Sequence, residues 1–321
     1  MTRAGKLIPS AMLSVFLQTL PFFLIIGLGY GAGRSGFFSQ EGTAWLTKFV
    51  FYFALSAMLF RFSANLSLGD VLDWQVVLAY LAATSVVYLL ATGVAYLRGV
   101  RIEEAAIEAQ CAVIGNVGFL GVPMLAMLMG EAAIGPVVLV LAVDLLVFGS
   151  LVVILITGAR DGRMSVRILG SIGMGLVRNP MIVAIAAGFA WSALRLPIPE
   201  TMNAFLAILG GAATPGALFA IGASLAAKAA ERPYVAGWLS LCKLVLHPAA
   251  VAIAVLWLFE VPPYTAAVVI AAAALPVAGN VFIIAQSYGV APRRVSSAIL
   301  ISTLLAVLSV ALVIGWTAAL Y

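Results

Sequence analysis

Gly115-Asn116-Val117-Gly118-Phe119-Leu120-Gly121-Val122-Pro123 is the stretch that decides the fold. It lies within an apolar segment running from about Ala105 to Met129, long enough to cross a bilayer. Proline removes a backbone donor and clashes with the preceding turn. Glycine tolerates the angles that follow. In hydrocarbon, freed N–H and C=O groups are tolerated only where protein or a water-filled cavity receives them. The stretch therefore predicts a helix broken over Gly115–Pro123 and lining a polar cavity. A second such stretch, Leu275-Pro276-Val277-Ala278-Gly279-Asn280, comes late in the chain. Interrupted segments at corresponding places in two halves point to the binding site of a secondary transporter.

Composition sets the surroundings. The chain has 321 residues, 64% hydrophobic and 9% charged, with a mean hydropathy of +1.17. A soluble domain carries roughly 25% charged residues, so this is a polytopic membrane protein with no sizeable soluble domain. The net charge of +5 fits basic residues in cytoplasmic loops. No loop holds the dense basic run that nucleic-acid binding uses. Cys111 and Cys242 fall in apolar segments and make neither a CxxC nor a Cys/His metal spacing. The apolar run after Lys6 continues through Gly29 without a small-residue cleavage site, which makes it a first helix rather than a signal peptide.

Ten spans are predicted, at about 7–32, 43–61, 74–97, 104–129, 133–157, 179–196, 202–227, 234–259, 264–288 and 294–319. The fourth and ninth are the broken ones. The connector Gly158–Arg178 carries an expected amphipathic surface helix over Met164–Val177. Basic residues orient the chain. One side collects Arg34, Lys48, Arg98, Arg101, Arg160, Arg163, Arg167, Arg178, Lys228, Arg232, Arg293 and Arg294, against Arg3, Lys6, Arg61 and Arg195 on the other. The richer side is cytoplasmic, which places both termini outside.

Five spans per half invert the second half relative to the first. Pro123 and Pro276 stand about half a chain apart, and Ala57-Met58-Leu59-Phe60 aligns with Gly216-Ala217-Leu218-Phe219 at a similar offset. The expected fold is all-α: two inverted five-helix repeats, residues 1–157 and 179–321, joined by the connector 158–178.

These segments resemble the auxin efflux carrier family, within the superfamily that includes bile acid–sodium symporter-like proteins. The resemblance rests on GNVGFLGVP (Gly115–Pro123), PGALFAIGASL (Pro215–Leu225), KLVLHP (Lys243–Pro248), LPVAGNVFIIAQSYG (Leu275–Gly289) and FYFALSAMLF in the second span. Ser56 stands where bacterial members usually carry proline. The long cytoplasmic loop of plant auxin carriers is absent, so the resemblance is to a compact prokaryotic member in a bacterial inner (plasma) membrane. It implies a scaffold part (spans 1, 2, 6 and 7) and a transport part (spans 3–5 and 8–10) that slides past it as an elevator. It also implies a homodimer through the scaffold, and a small organic anion as substrate: an auxin-like acid, malonate or malate.

Candidate substrate-binding residues are Asn116, Gly118, Gly121, Pro123, Pro276, Gly279 and Asn280. An amide offers donors and an acceptor without the desolvation cost of a charge. Half-helix N-termini present free N–H groups suited to a carboxylate. Against a role in binding stands the reading that each asparagine merely caps a broken helix, and that the glycines serve helix contacts. The prolines are assigned to opening the backbone. Asp144, Lys243 and His247 are the ionisable groups deep within spans, and Lys243 and His247 share a helix face at i, i+4. An Asp144–Lys243 or Asp144–His247 pair serves either proton coupling or a fixed frame between spans 5 and 8. The coupling ion is H⁺ or Na⁺, and no cofactor or metal is expected. Glu103, Glu104, Glu108 and Gln110 either ring an entrance or balance Arg98 and Arg101, with Gln286 and Tyr288 on a cytoplasmic path.

Three classes of function remain. Broken helices in inverted repeats favour a transporter, while a channel or a transporter-derived sensor shares the same features. An intramembrane enzyme lacks its parts: there is one deep aspartate, no GxSxG elbow and no HExxH pair.

Overall fold

Helix is the regular structure of this chain. In a computed structural model the described residues are 4–66, 72–161, 170, 173–174, 177–226 and 233–321, with backbone alone for 4–15 and 161. Twelve helical elements are used below. They are α1 Ala4–Arg34, α2 Gln40–Ala64, α3 Trp74–Leu97, α4 Ile102–Val113, α5 Val117–Met129 and α6 Glu131–Arg160. The second half holds α7 Pro180–Ala193, α8 Glu200–Ala226, α9 Pro233–Leu258, α10 Pro263–Ala273, α11 Gly279–Tyr288 and α12 Pro292–Thr317.

Among the described residues, seven helices are long and apolar enough to cross a membrane: α1 from Phe16, α2, α3, α6, α8, α9 and α12. The other three expected spans are shorter. α7 has 14 residues, about 21 Å at 1.5 Å per residue. The fourth and ninth expected spans are pairs of short helices, α4 with α5 and α10 with α11. The expected helix over Met164–Val177 lies largely outside the described residues, as do Lys228 and Arg232.

Local chemistry sets the helix ends. The Asp73 carboxylate accepts from the Gln75 and Val76 amides and starts α3. Asn179 caps α7 by accepting from Met181 N at 3.0 Å, with Pro180 pre-shaped for the first turn. Gly289, at φ +64, takes the left-handed position that ends α11.

Packing divides the helices into two groups. In one, α1 lies along the second half of α8, and α7 lies along the Leu55–Ala64 half of α2. Small residues permit this close approach, since a Cβ on Gly222 would collide with the Ile26 carbonyl and one on Gly29 with the Phe219 carbonyl. In the other, α3 packs on α4 and α9, α9 and α10 pack on α12, and α4 packs on α6. The groups meet where α1 runs beside α12 and where the second half of α8 touches the first turn of α5.

Several long helices contain π turns: Val50–Ala54 in α2, Asp144–Phe148 in α6, and Cys242–Leu246 and Ala254–Leu258 in α9. Such insertions free carbonyls and turn side chains, often at functional positions. Ser56 lacks the ring of the family's proline, yet α2 is irregular there. Its hydroxyl donates to the Phe51 carbonyl, within the π turn, at 3.2 Å.

Candidate functional site

Two helix breaks face one another. The first covers Ile114–Asn116, between α4 and α5, and the second covers Ala274–Ala278, between α10 and α11. They cross as a minimal antiparallel bridge, Gly115 opposite Val277. Asn116 N donates to Pro276 O at 2.8 Å, and Ala278 N donates to Ile114 O at 3.0 Å. Val277 N finds Ser302 Oγ of α12 at 3.1 Å. Three of the backbone donors at the breaks are thus paired within the protein, which helps to make broken helices tolerable in an apolar segment. The sequence placed the first break over Gly115–Pro123. The helix instead resumes at Val117, so Pro123 sits inside α5 rather than in the opening.

A cavity of about 370 Å³ lies beside the crossing, at the small end of the range for ligand pockets. Its lining comes from both packing groups. Phe51 of α2, with Asn179 and Met181 at the start of α7, faces Asn116, Gly118 and Phe119, Asp144 and Ser150 of α6, and Gly279, Asn280 and Tyr288. No Lys or Arg side chain lines it among the described residues. Its positive character comes from backbone. The first residues of a helix have no intrahelical acceptor for their N–H groups. In α5 the Val117 amide bonds back to Gly115 O, and those of Leu120 and Gly121 take Asn116 O, which leaves Gly118 and Phe119. In α11 the corresponding amides are Gly279 and Asn280. All four residues line the cavity, and the two N-terminal dipole ends add to them.

The asparagines are not caps. Asn116 occupies the N-cap position of α5 but makes no side-chain cap bond. Asn280 is the second residue of α11, whose N-cap is Ala278, and its Oδ1 is buried without a hydrogen-bond partner. Both residues line the cavity, and neither side chain is spent on a cap.

Behind the cavity runs a buried polar chain. Asp144 Oδ1 accepts from the Tyr80 hydroxyl at 2.8 Å. The Tyr80 ring meets the His247 ring edge-on, with centroids 5.7 Å apart. His247 Nε2 lies 3.1 Å from Thr84 Oγ1, and His247 Nδ1 lies 3.2 Å from Lys243 Nζ. Lys243 also donates to the Ala273 carbonyl, at the C-terminal end of α10. A Cβ on Gly115 would stand 3.3 Å from Lys243 Nζ, so the ammonium rests against the crossing itself. The direct ion pair expected from Asp144 to Lys243 or His247 is not formed. Asp144 and Lys243 act on one another electrostatically without touching. The reason is geometric: both begin or lie in π turns, and Tyr80 takes the position facing the carboxylate.

The remaining candidates lie elsewhere. Gly121 is packed on Leu275, whose Cδ1 would stand 2.6 Å from a Cβ there. Pro123 lines a separate small pocket with Met58 and Arg61. Pro276 contributes its carbonyl to the crossing and does not line the cavity. Glu108 is buried and paired with Arg98 and Arg294, with Glu104 on Arg294 at 3.1 Å. Gln110 donates to the carbonyl of Phe148, the last residue of the π turn in α6. These residues balance charge and backbone rather than forming an entrance. Tyr288 does line the cavity, and Arg160, outside that lining, donates to its carbonyl at 2.5 Å. Asn179, Ser150, Phe51 and Met181 were not singled out from sequence. Asn179, a cap residue before a proline at the start of the sixth span, carried the one legible signal.

Residues 14–314 match the membrane transport protein family. The chain belongs to that family. A Rhizobium meliloti (strain 1021) protein named "Putative malonate transporter" is 31% identical over 297 residues, covering 91% of this chain and 92% of that protein. The resemblance to auxin efflux carriers is borne out over nearly the whole length. Family members are membrane transporters, and the helices of this one are apolar and long enough for a multi-pass protein.

Proposed function

We propose that this membrane transport protein is a secondary transporter of a small organic anion, and that its substrate carboxylate binds at the helix crossing. The observation that carries this is the cavity. Two half-helix N-termini meet there, and its lining includes four residues whose amides lack a helical acceptor together with Asn116 and Asn280, with no Lys or Arg side chain among the described residues. Anions favour such ends, and transporters place substrate carboxylates on them. The name of the Rhizobium relative makes malonate the first acid to test.

In this reading α4 with α5, and α10 with α11, each count as one crossing. That gives ten spans in two inverted repeats, 1–157 and 179–321, around the connector 158–178. Matching contacts support it: α1 on α8 is mirrored by α7 on α2, and α3 on α4 by α9 on α10. The α1, α2, α7 and α8 group is the scaffold and the site of a homodimer contact. The other group carries the substrate past it as an elevator, and the cavity sits where the two meet. Both termini face outward from a bacterial inner membrane, by the basic-residue count.

Movement is coupled to protons through the Asp144–Tyr80–His247–Lys243 chain. Sodium is disfavoured at the end of α10, where one of the half-helix C-terminal carbonyls that bind such ions in transporters, that of Ala273, already accepts from the Lys243 ammonium.

The test is uptake of labelled malonate into proteoliposomes. With Asn116→Ala and Asn280→Ala together, the wild-type signal should be lost at sub-saturating substrate. A hydrogen bond to a charged group is worth about 1.5–3 kcal/mol, so each change should weaken binding roughly 10- to 150-fold. Unchanged affinity in the double variant would refute the site. Flux that passes without saturation would indicate a channel.

A further inference from the structure

Asp144 is the acidic side chain in the cavity lining, and at 3% exposure it is buried. Its two oxygens differ. Oδ1 accepts from Tyr80 OH at 2.8 Å. Oδ2 is buried and has no hydrogen-bond partner. The charged and titratable groups around it are committed elsewhere: Lys243 to the Ala273 carbonyl and His247, and His247 to Thr84 and Lys243. A buried carboxylate oxygen without a partner is costly, and native structures resolve this with water or ligand.

An anion site that contains a carboxylate also raises a question of sign. A ligand carrying only negative charge would bring like charges together, which disfavours both. The cavity lining holds both kinds of group: residues whose N–H has no helical acceptor, Gly118, Phe119, Gly279 and Asn280, and Asp144, whose Oδ2 has no hydrogen-bond partner. A ligand matches both only if it has a carboxylate and, a short distance away, a hydrogen-bond donor.

We infer that Asp144 Oδ2 is a specificity-determining substrate contact that accepts a hydrogen bond from an O–H of the substrate. The site then selects small carboxylates bearing a hydroxyl, or a second carboxyl in its acid form, over simple alkanoates of the same length. Hydrogen malonate meets this requirement. The inference rests on the carboxylate site proposed above and adds the second contact to it.

The experiment compares 3-hydroxypropionate with propionate, which share carbon count and charge and differ in one hydroxyl. Dissociation constants are measured by calorimetry on the purified full-length protein at one pH and ionic strength. Wild type should bind the hydroxy acid about tenfold more tightly, the effect of one hydrogen bond to a charged acceptor. In Asp144→Leu the ratio should fall to within about twofold, as expected once that bond is gone. Asp144→Asn keeps an acceptor for Tyr80 and removes the charge, and its ratio should fall to about threefold, between the other two. It carries the test if the leucine variant does not fold. A wild-type ratio near one, or a ratio unchanged in the variants, would overturn the inference while leaving the carboxylate site standing. A role in structure alone would weaken both acids equally and leave the ratio intact, which also overturns it. Failure of wild type to bind either acid would overturn the carboxylate site and this contact with it.

Discussion

Replacing Lys243 with methionine tests how the crossing is held. The ammonium is 0% exposed and donates to the Ala273 carbonyl, with His247 Nδ1 at 3.2 Å. Methionine keeps most of the side-chain volume, so no large cavity forms, but both acceptors lose their donor. Each orphaned buried polar group costs about 1–3 kcal/mol. Asp144 also loses the cation whose field reaches it. Removing a buried charge relieves some desolvation, so the expected net loss is roughly 2–5 kcal/mol. Tryptophan-fluorescence unfolding of the purified protein in detergent measures it. Adding Asp144→Asn should recover about 1–3 kcal/mol, because the carboxylate then needs no counter-charge. A methionine variant as stable as wild type, or strict additivity of the two changes, would refute the view that this ammonium braces the crossing and balances Asp144.

Other outcomes follow from neighbouring geometry. A Cβ on Gly279 meets nothing within 4 Å, and the residue lines the cavity. Gly279→Leu should therefore keep the wild-type melting temperature while abolishing malonate uptake, and a matched loss of stability would contradict this. Glu108 is buried between Arg98 and Arg294. Glu108→Gln leaves Arg294 without its buried countercharge and should cost about 3–5 kcal/mol in the same unfolding assay. Because Lys243 donates to the carbonyl of Ala273, the last residue of α10, uptake should be equal in sodium and in choline buffers, and sodium dependence would oppose that assignment.

Much of the architecture was legible because a bilayer restricts backbone so strongly. Glycine, asparagine and proline in an apolar run have few explanations, and breaks do occur in both stretches, at Ile114–Asn116 and at Ala274–Ala278, although the second helix has already resumed at Gly279, ahead of Asn280. Their limits were harder to read. Pro123 looked like the breaking residue, yet α5 has already begun at Val117, and its π turn, with Gly121 N on Asn116 O at 2.9 Å, precedes the proline. Pattern alone does not reveal π turns, since one extra residue rotates every later side chain relative to an ideal helix. Asp144 and Lys243 were expected to pair directly and do not, and Tyr80, an ordinary residue in an apolar span, stands against the carboxylate instead. Asn179 and Ser150 reach the cavity only through the packing of α7 and α6 around it, which no local spacing encodes.

The most direct measurement is a structure of the full-length protein with bromomalonate, whose bromine locates the acid without ambiguity. One carboxylate is expected within hydrogen-bond distance of the Gly118, Phe119, Gly279 and Asn280 amides, beside Asn116. Bound acid elsewhere in the protein, with the crossing empty, would contradict the assignment of this cavity as the transport site.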